Sequence, residues 1–332
     1  MDPTTSDRPD IRDLIEICKE HRVFIQTHNI PDPDAIGSAY GLQQLFLHFG
    51  ITSTICYDGK IDKLSSAKIL DMFGIKMYPD EQVSMSEDDY IICVDSQKNT
   101  GNITDLRGNE IATIDHHPTT AVNVDVKYLY KDVRLLGSCC TIIAEYYRDM
   151  DITPDPDVAT ALLYGLKMDT LGFSRGVKEE DIFIFLYLNP IMDKDKLKSL
   201  EMNSIEFDDL KAYGAAISNV QVFGYLGISY IPFACPDAMV AIVADFILSL
   251  IEVEVSVIYC ERPDGYKFSV RSERSNIDAG ELVVKALEGI GDGGGHASMA
   301  GGRIPSSELQ KLGDHLNHKI TERFIRALGL PY

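Results

Sequence analysis

The sequence predicts an α/β protein in which a parallel-sheet domain is joined to a smaller α/β domain. Short apolar runs alternate with helical patterns through the first half, which is typical of a parallel sheet whose strands are connected by helices. After Tyr187 the chain becomes charged and helix-prone, and a length of 332 residues corresponds to about two domains. We therefore expect the first domain at 1–188, a helical linker at 189–218 and the second domain at 219–332.

The elements of the first half follow from the spacing of the apolar residues. Runs such as RVFIQT and YIICV are short and bounded by polar clusters, so they predict buried strands. The segment AIGSAYGLQQLFLHF has apolar residues at helical spacing and ends at Gly50, so it predicts a helix. In chain order we expect a strand at 22–27, a helix at 35–49, strands at 51–57, 90–94 and 111–114, and a helix at 157–165.

The second half predicts further strands and a terminal helix. Residues 220–231, VQVFGYLGISYI, predict two strands that turn around Gly224. Strands are also expected at 252–259 and 266–271, and the amphipathic pattern of 308–328 predicts a helix. The letters PDPD at 154–157 precede a helical pattern, so we expect a helix cap there.

Charge and cysteine usage exclude several classes of function. The chain has 31 Lys+Arg and 51 Asp+Glu, so its formal net charge is −20. A long nucleic-acid groove and an anionic membrane surface both need a broad positive field, so neither partner is expected. Seven cysteines without a CxxC pair indicate a reducing compartment, and no long uncharged apolar run or signal peptide is evident. We expect a cytoplasmic protein. A homodimer is possible, and the sequence does not decide the oligomeric state.

Polar side chains gather where three predicted strands end. His28, Asp32 and Asp34 follow the first of these strands, Asp95 follows another, and the Asp-His-His run at 115–117 follows the last. Because ligands of open parallel sheets bind outside the carboxyl ends of the strands, we expect these side chains to share one crevice. Taken alone, Asp32 or Asp34 is equally well interpreted as the cap of the helix that follows.

The residue types in this crevice favour divalent metal ions. A mixture of imidazole and carboxylate ligands suits Mn²⁺, while Mg²⁺, Co²⁺ and Zn²⁺ are not separated by ligand type alone. A carboxylate such as Asp95 can bridge two ions about 3.5–4 Å apart. Asp169, in YGLKMDT, follows a predicted helix and is a further candidate, although by itself a capping role is the simpler interpretation.

Five ordered motifs carry a family resemblance. HNIPDPDAIGS, VDSQ, IDHHPT and KMDT resemble, in order and spacing, the four motifs of the DHH phosphoesterases. GGGHASMAGG, at 293–302, resembles the glycine-rich signature of the DHH-associated C-terminal domain. The chain is most similar to the short members that act as nanoRNases and as phosphatases of 3′-phosphoadenosine-5′-phosphate (pAp).

The resemblance implies a role for each matching residue. One metal ion would be held by His28, Asp32 and Asp95, and a second by Asp34, Asp95, His116 and Asp169, with Asp95 bridging. His117 would face the substrate phosphate, and Asp115 would orient the neighbouring histidine. The remaining candidates would bind the other end of the substrate: Arg271, Ser272, Gly293, Gly294, Gly295 and His296.

The activity implied is Mn²⁺-dependent hydrolysis of short oligoribonucleotides, of dinucleotides such as pApA, or of pAp, by hydroxide generated at two metal ions. The alternatives are a RecJ-like single-strand exonuclease and a catalytically inactive nucleotide-binding protein. Arg134 and Ser138 are weaker candidates for phosphate contact. Gly289-x-Gly291-x-x-Gly294 matches the letters of a dinucleotide fingerprint, but no strand precedes it, so we reject a nicotinamide site.

Overall fold

A computed structural model describes residues 8–61, 63–119, 126–202, 207 and 209–331. The chain forms two compact units, Met1–Ser204 and Ile205–Tyr332. The first unit contains a six-stranded, fully parallel sheet, and the second a six-stranded mixed sheet. The predicted α/β class, with a parallel sheet in the first half, is confirmed.

The first unit alternates strands and helices as expected. Its strands are β1 (Val23–Gln26), β2 (Ser53–Tyr57), β3 (Met77–Pro79), β4 (Tyr90–Val94), β5 (Asn109–Asp115) and β6 (Tyr130–Val133). Its helices are α1 (Ile11–Cys18), α2 (Pro33–His48), α3 (Leu64–Phe73), α4 (Cys139–Asp149), α5 (Pro156–Asp169), α6 (Glu179–Leu188) and α7 (Lys194–Glu201). The strand order is β3-β2-β1-β4-β5-β6, so the order reverses between β1 and β4. In open α/β sheets such a reversal opens a crevice at the carboxyl ends of the strands.

Close packing of α2 against α5 brings the first turn of α2 near the end of α5. Gly165 on α5 makes this approach possible, since a Cβ there would lie 2.5 Å from Cys140 Sγ and 2.9 Å from the carbonyl oxygen of Pro33. Any larger residue would push α5 away from α2. The contact therefore holds the first turn of α2, which carries Asp34, against α5, which ends at Asp169.

The second unit is built on the sheet β11-β12-β10-β9-β8-β7. Its strands are β7 (Gln221–Phe223), β8 (Leu226–Ile231), β9 (Val255–Arg262), β10 (Gly265–Ser272), β11 (Asp292–Gly295) and β12 (Met299–Pro305), and its helices are α8 (Asp209–Asn219), α9 (Asp237–Leu248), α10 (Ala279–Leu287) and α11 (Leu316–Leu328). The predicted strand pair around Gly224 is present as β7 and β8, and Gly224 has a φ of 62°.

Three expectations differ from the structure. Strands β3 and β6 were not expected, because β3 has three residues and β6 contains the charged pair Lys131 and Asp132. The terminal helix is shorter than 308–328, because residues 306–312 form a 3₁₀-helix and the chain turns with φ values of 65° at Gly313 and 66° at His315.

Within the segment 189–218, expected as a helical linker, the described residues form helices α7 and α8. Leu197 and Leu200 of α7 are buried in the core of the first unit. Ala212 and Ala216 of α8 are buried in a cluster of the second unit. Residues 203–206 and 208 lie outside the described part of the chain. Among the helices in the described ranges, none has both the length and the apolar character needed to cross a bilayer.

Candidate metal centre

The loop after β1 supplies a histidine and a capping carboxylate. Asp32 is the N-cap of α2: its Oδ1 accepts the backbone N–H groups of Asp34 (3.0 Å) and Ala35 (3.2 Å). The cap interpretation is therefore correct for Asp32, and its second oxygen is not used by these two bonds. His28 Nε2 lies 4.0 Å from Asp32 Oδ1 and 3.6 Å from Asp95 Oδ2.

Asp34 lies in the first turn of α2 and is buried. Its two oxygens accept the backbone N–H groups of Cys139 (2.7 Å) and Cys140 (2.9 Å) at the start of α4. These N–H groups lack partners within their own helix, so Asp34 satisfies them while they orient its carboxylate.

Asp95 follows β4 in an unusual backbone conformation. Its φ of 56° is in the left-handed region, which Asp and Asn enter more readily than other non-glycine residues. The side chain is buried, and Oδ1 has no hydrogen-bond partner within the described ranges. A buried carboxylate oxygen without a hydrogen bond is costly unless a cation balances its charge.

The two histidines after β5 have different partners. His116 Nδ1 lies 3.1 Å from the carbonyl oxygen of Leu136, so Nδ1 carries a proton and Nε2 faces the carboxylates. His116 Nε2 is 3.4 Å from Asp95 Oδ1, 3.5 Å from Asp169 Oδ2 and 3.8 Å from Asp34 Oδ2. His117, whose side chain is 53% exposed, is bonded through Nδ1 to Asp115 Oδ1 at 2.8 Å.

The structure brings all six predicted metal-ligating side chains together, at the carboxyl ends of β1, β4 and β5 and the end of α5. They form two groups, and within each group the potential ligand atoms lie within 4.8 Å of one another. A third group of the same kind contains Asp95 and both histidines of the Asp-His-His run. The first two groups are His28, Asp32, Asp95 and Asp34, His116, Asp169. Asp95 belongs to one group and lies beside His116 of the other, as a bridging residue requires. Mixed imidazole and carboxylate donors, with the unpartnered Oδ1 of Asp95 beside His116, fit divalent cations.

Without cations the centre retains protons. Burial, followed by the nearby charge of Asp95, raises the pKa of Asp34 to about 8. Burial opposes the charged form of His116, but its contacts with Asp95 raise its pKa to about 11. Burial alone would raise the pKa of Asp95, yet the neighbouring imidazoles of His116 and His28 hold it below its usual range.

We predict that Mn²⁺ binding at pH 7 releases protons. Ligands must be deprotonated, whereas Asp34 and His116 hold protons at pH 7 in the metal-free protein because their pKa values lie above 7. Metal affinity should therefore rise as the pH rises from 6 to 8. Isothermal titration in buffers of different ionisation enthalpy measures the release, and a binding heat that does not depend on the buffer would contradict it.

Two positioning residues were missed by the sequence analysis. Gln97 is buried, and its Nε2 donates to Asp115 Oδ2 (2.7 Å) and to the carbonyl oxygen of His117 (3.1 Å). Asp181 is buried on α6 and accepts from the backbone N–H groups of Gly137 (2.9 Å) and Lys178 (2.6 Å). Gln97 thus fixes the turn that carries the histidines. Asp181 fixes the loop that leads into α4. Gln97 stands in the VDSQ motif, but no pattern marks Asp181 as different from a surface acid.

The predicted glycines form an edge strand in the second unit. Gly293, Gly294 and Gly295 belong to β11, which lines a groove of about 870 Å³ with α10. A Cβ at Gly293 would lie 2.8 Å from the carbonyl oxygen of Gly301, and Gly295 has a φ of 157°. A Cβ at Gly294 would meet nothing within 4 Å, and His296 is exposed.

Arg271 and Ser272 do not line this groove. Arg271 Nε pairs with Asp245 of α9 at 2.6 Å, and the Ser272 hydroxyl bonds to the carbonyl oxygen of Ile277 at 3.0 Å. Sequence alone did not show that the face of β10 bearing Arg271 is covered by α9. The weaker candidates also have structural roles, since Arg134 pairs with Asp132 and Glu145, and Ser138 caps α4.

Family comparison gives the same assignment as the motifs. The model of the DHH family, N-terminal domain, matches residues 22–166, and that of the DHHA1 domain matches residues 224–322. The chain belongs to the DHH family. Both matches, and the parallel sheet with its cluster at the strand ends, agree with the family assigned from the motifs.

The curated relatives match this chain over only part of their own length. It is 29% identical over 312 residues to uncharacterized protein MJ1633 of Methanocaldococcus jannaschii, covering 93% of this chain and 63% of that protein. It is 27% identical over 151 residues to the "Probable manganese-dependent inorganic pyrophosphatase" of Streptococcus thermophilus, and this match covers 45% of this chain and 48% of that protein. It is 23% identical to the cyclic-di-AMP phosphodiesterase GdpP of Bacillus subtilis, and this match covers 93% of this chain and 49% of that protein. The chain thus spans about half to two thirds of the length of these proteins.

Solved structures share the fold. An exopolyphosphatase-related protein from Bacteroides fragilis aligns with a TM-score of 0.75 at 21% identity, covering 96% of this chain and 94% of that protein. RecJ from Thermus thermophilus, in complex with Mn²⁺, aligns with a TM-score of 0.54 at 13% identity, covering 96% and 54%.

Proposed function

We propose that this DHH family protein is a phosphoesterase that requires divalent metal ions, Mn²⁺ above all, and hydrolyses short oligoribonucleotides, dinucleotides such as pApA, or pAp. The observation that carries the proposal is the position of buried Asp95 between two groups of imidazole and carboxylate ligands, with an Oδ1 that has no hydrogen-bond partner among the described residues. The names of the relatives add support, because a pyrophosphatase and a cyclic-dinucleotide phosphodiesterase both cleave bonds to phosphorus.

The ligand residues would divide between two ions. His28 and Asp32 would hold one ion, Asp34, His116 and Asp169 would hold the other, and Asp95 would touch both. Two bound ions would lower the pKa of water and neutralise charge on the phosphoryl oxygens.

His117 would act on the substrate directly. Its hydrogen bond with Asp115 raises the pKa of the imidazole, which favours the charged form. Because Nδ1 is bonded to Asp115, Nε2–H is the group left to meet a phosphoryl oxygen or to protonate the leaving oxygen. Gln97 would support this role by holding Asp115 and the backbone of His117 together.

An activity panel tests the proposal. Metal-stripped protein should be inactive in EDTA and should recover best with Mn²⁺ on pApA, short RNA oligomers, pAp, linear and cyclic dinucleotides, pyrophosphate and a long single strand. Full activity in excess EDTA would refute the two-metal account. If pyrophosphate were cleaved fastest, the proposed metal centre would stand, but the proposed substrate class of short oligoribonucleotides, dinucleotides and pAp would be wrong.

We predict a steep dependence on substrate length, with dinucleotides cut fastest and long strands slowly. A net charge of −20 repels each added phosphate, and this repulsion weakens as salt rises. Initial rates on RNA of two to about twenty nucleotides at two salt concentrations measure the effect. A long strand degraded as fast as a dimer would instead favour the RecJ-like alternative.

The glycine groove of the second unit is our proposed site for the rest of the substrate. Backbone N–H groups of a glycine strand can approach an anion closely, and His296 is exposed beside them. We predict that His296→Ala raises KM for one or more short substrates by about 10- to 100-fold, while bound metal stays unchanged. The exposed His48→Ala is the matched control and should leave both unchanged; metal loss in His296→Ala would contradict the division of roles.

A further inference from the structure

A loop after α5 carries an arginine to the edge of the proposed metal centre. Arg175 lies six residues beyond Asp169, which is the last residue of α5. Its Nη2 donates to the carbonyl oxygen of Asp169 at 3.0 Å and lies 4.0 Å from Asp169 Oδ1. The other carboxylate oxygen, Oδ2, lies 3.5 Å from His116 Nε2. The carboxylate of Asp169 thus has His116 on one side and Arg175 on the other.

The loop reaches this position through an unusual backbone. Leu171, Gly172 and Phe173 have φ values of 48°, 64° and 68°, so three consecutive residues are in the left-handed region. Glycine enters this region freely, whereas leucine and phenylalanine do so at a cost in conformational energy. A helix that continued past Asp169 would place position 175 about 9 Å further along its axis. The left-handed turn instead brings the chain back to the end of α5.

Contacts within the first unit hold the turn in place. The carbonyl oxygen of buried Thr170 accepts the backbone N–H groups of Ser174 and Arg175, both at 2.9 Å. The Thr170 hydroxyl accepts the N–H of Phe173 at 3.2 Å. The Phe173 ring packs edge-on against Phe185 of α6, with 5.2 Å between the ring centroids. Strained residues that are held in this way cluster at functional sites, so the position of Arg175 calls for a functional explanation.

The guanidinium keeps most of its donors for another partner. The Arg175 side chain is 42% exposed, and within the described ranges its hydrogen-bond and ion-pair partner is Asp169 alone. Nε, Nη1 and one N–H of Nη2 are therefore left to face water or a ligand. A guanidinium presents these donors in a planar fork that matches two oxygens of a phosphate group.

The two arginines expected from the sequence to contact substrate are already paired. Arg134 is paired with Asp132 and Glu145, which are both buried. Turning Arg134 toward a ligand would leave these carboxylates without their cation, which is costly in a buried site. Arg271 belongs to the second unit and is paired with Asp245. Neither arginine therefore offers a free guanidinium to the metal centre.

We propose that Arg175 binds the substrate phosphate at the metal centre. The proposal rests on the proposed function, and it adds a residue that contacts the phosphoryl oxygens of a phosphate monoester or diester. A phosphate anion must enter a site that contains four carboxylates, those of Asp32, Asp34, Asp95 and Asp169. A cation beside this cluster offsets the repulsion that remains after metal ions bind, and its donors are already aimed when the substrate arrives.

A purely structural role for Arg175 predicts different results. Basic side chains stabilise a helix by binding the last carbonyl groups, and the bond to the Asp169 carbonyl oxygen is of this kind. Loss of that bond alone would lower the melting temperature or loosen Asp169, and bound Mn²⁺ would decrease. A phosphate contact predicts the reverse, with unchanged melting and metal content and weaker binding of phosphate.

Titration of Mn²⁺-loaded protein with inorganic phosphate tests the proposal. Arg175→Gln should weaken phosphate binding by about 10- to 100-fold, the effect of losing one charge-assisted contact. Arg175→Lys should bind phosphate with intermediate affinity, because lysine keeps the charge and loses the planar fork. In both variants kcat/KM on pApA should fall in the same order, while Mn²⁺ content and melting temperature stay unchanged. Equal phosphate affinity in Arg175→Gln and the unaltered protein, or loss of Mn²⁺ in Arg175→Gln, would overturn the proposal.

Arg148→Gln is the matched control. The Arg148 side chain is 37% exposed and is paired with Glu145 and Asp149, so the substitution also removes one exposed arginine from acidic partners. Arg148 lies about 14 Å along α4 from Cys139, whose backbone N–H binds Asp34. We expect its phosphate affinity to match that of the unaltered protein. An equal loss in Arg148→Gln and Arg175→Gln would show an effect of net charge and would contradict a contact by Arg175.

Phosphate binding is measured without turnover, so the contact and the proposed activity are judged separately. If the Mn²⁺-loaded protein bound phosphate but cleaved no substrate of the activity panel, the proposed activity would be wrong, and the variants would still decide the role of Arg175. If the Mn²⁺-loaded protein did not bind phosphate, the role of Arg175 would be wrong even if dinucleotides were cleaved.

Discussion

Asp95→Asn should reduce turnover on every substrate by about four orders of magnitude, because Asp95 is the residue that contacts both groups of proposed metal ligands. Asparagine is the appropriate replacement since it also tolerates the left-handed backbone found at this position, where φ is 56°. Loss of activity would then reflect the missing carboxylate and not a strained turn.

Metal content and kcat on pApA measure this prediction together. Asp95→Asn should retain less bound Mn²⁺ than the unaltered protein while keeping its thermal melting behaviour. Near-normal turnover in Asp95→Asn would show that the centre does not depend on a bridging carboxylate at this position.

Asp32→Ser should lose turnover by about 10²- to 10⁴-fold while the helix it begins stays capped. Serine is as good an N-cap as aspartate, so it can accept the N–H bond that Asp32 makes at the start of α2. It lacks the carboxylate that we propose as a ligand of one metal ion. The variant therefore separates the two interpretations of Asp32 that the sequence left open.

The chain supplies a matched control in its second PDPD segment. Asp155 caps α5 as Asp32 caps α2, with its side chain accepting the N–H of Asp157 at 3.0 Å. Asp155→Ser should leave kcat, metal content and melting temperature unchanged. If Asp32→Ser and Asp155→Ser behaved alike, Asp32 would be a cap and nothing more.

Local pattern was sufficient to locate the site. Strand ends followed by His, Asp or Asp-His-His predicted one crevice, and the structure brings those side chains together because β1, β4 and β5 are adjacent and parallel. Asp32 caps α2 with one carboxylate oxygen, as one interpretation predicted, and its other oxygen is not used by that cap.

Features that depend on distant partners could not be predicted. Strand β6 has a charged sequence, yet Asp132 is buried there because Arg134 and Tyr146 bind its two oxygens. Arg271, which was expected to bind substrate, pairs with Asp245 of α9 in the structure. The spacing of residues along a strand does not show that Arg134 and Tyr146 will bind Asp132, or that α9 will lie over Arg271.

Hydrolysis of pApA by metal-free protein, measured as Mn²⁺ is added stepwise, tests the central claim most directly. The account predicts no cleavage without metal and a rate that rises to a plateau at two ions per chain. Asp95→Asn should stay near the baseline across the same titration. Full cleavage without metal, or no cleavage of pApA, short RNA or pAp at saturating Mn²⁺, would contradict the assignment of this cluster as a two-metal phosphoesterase centre.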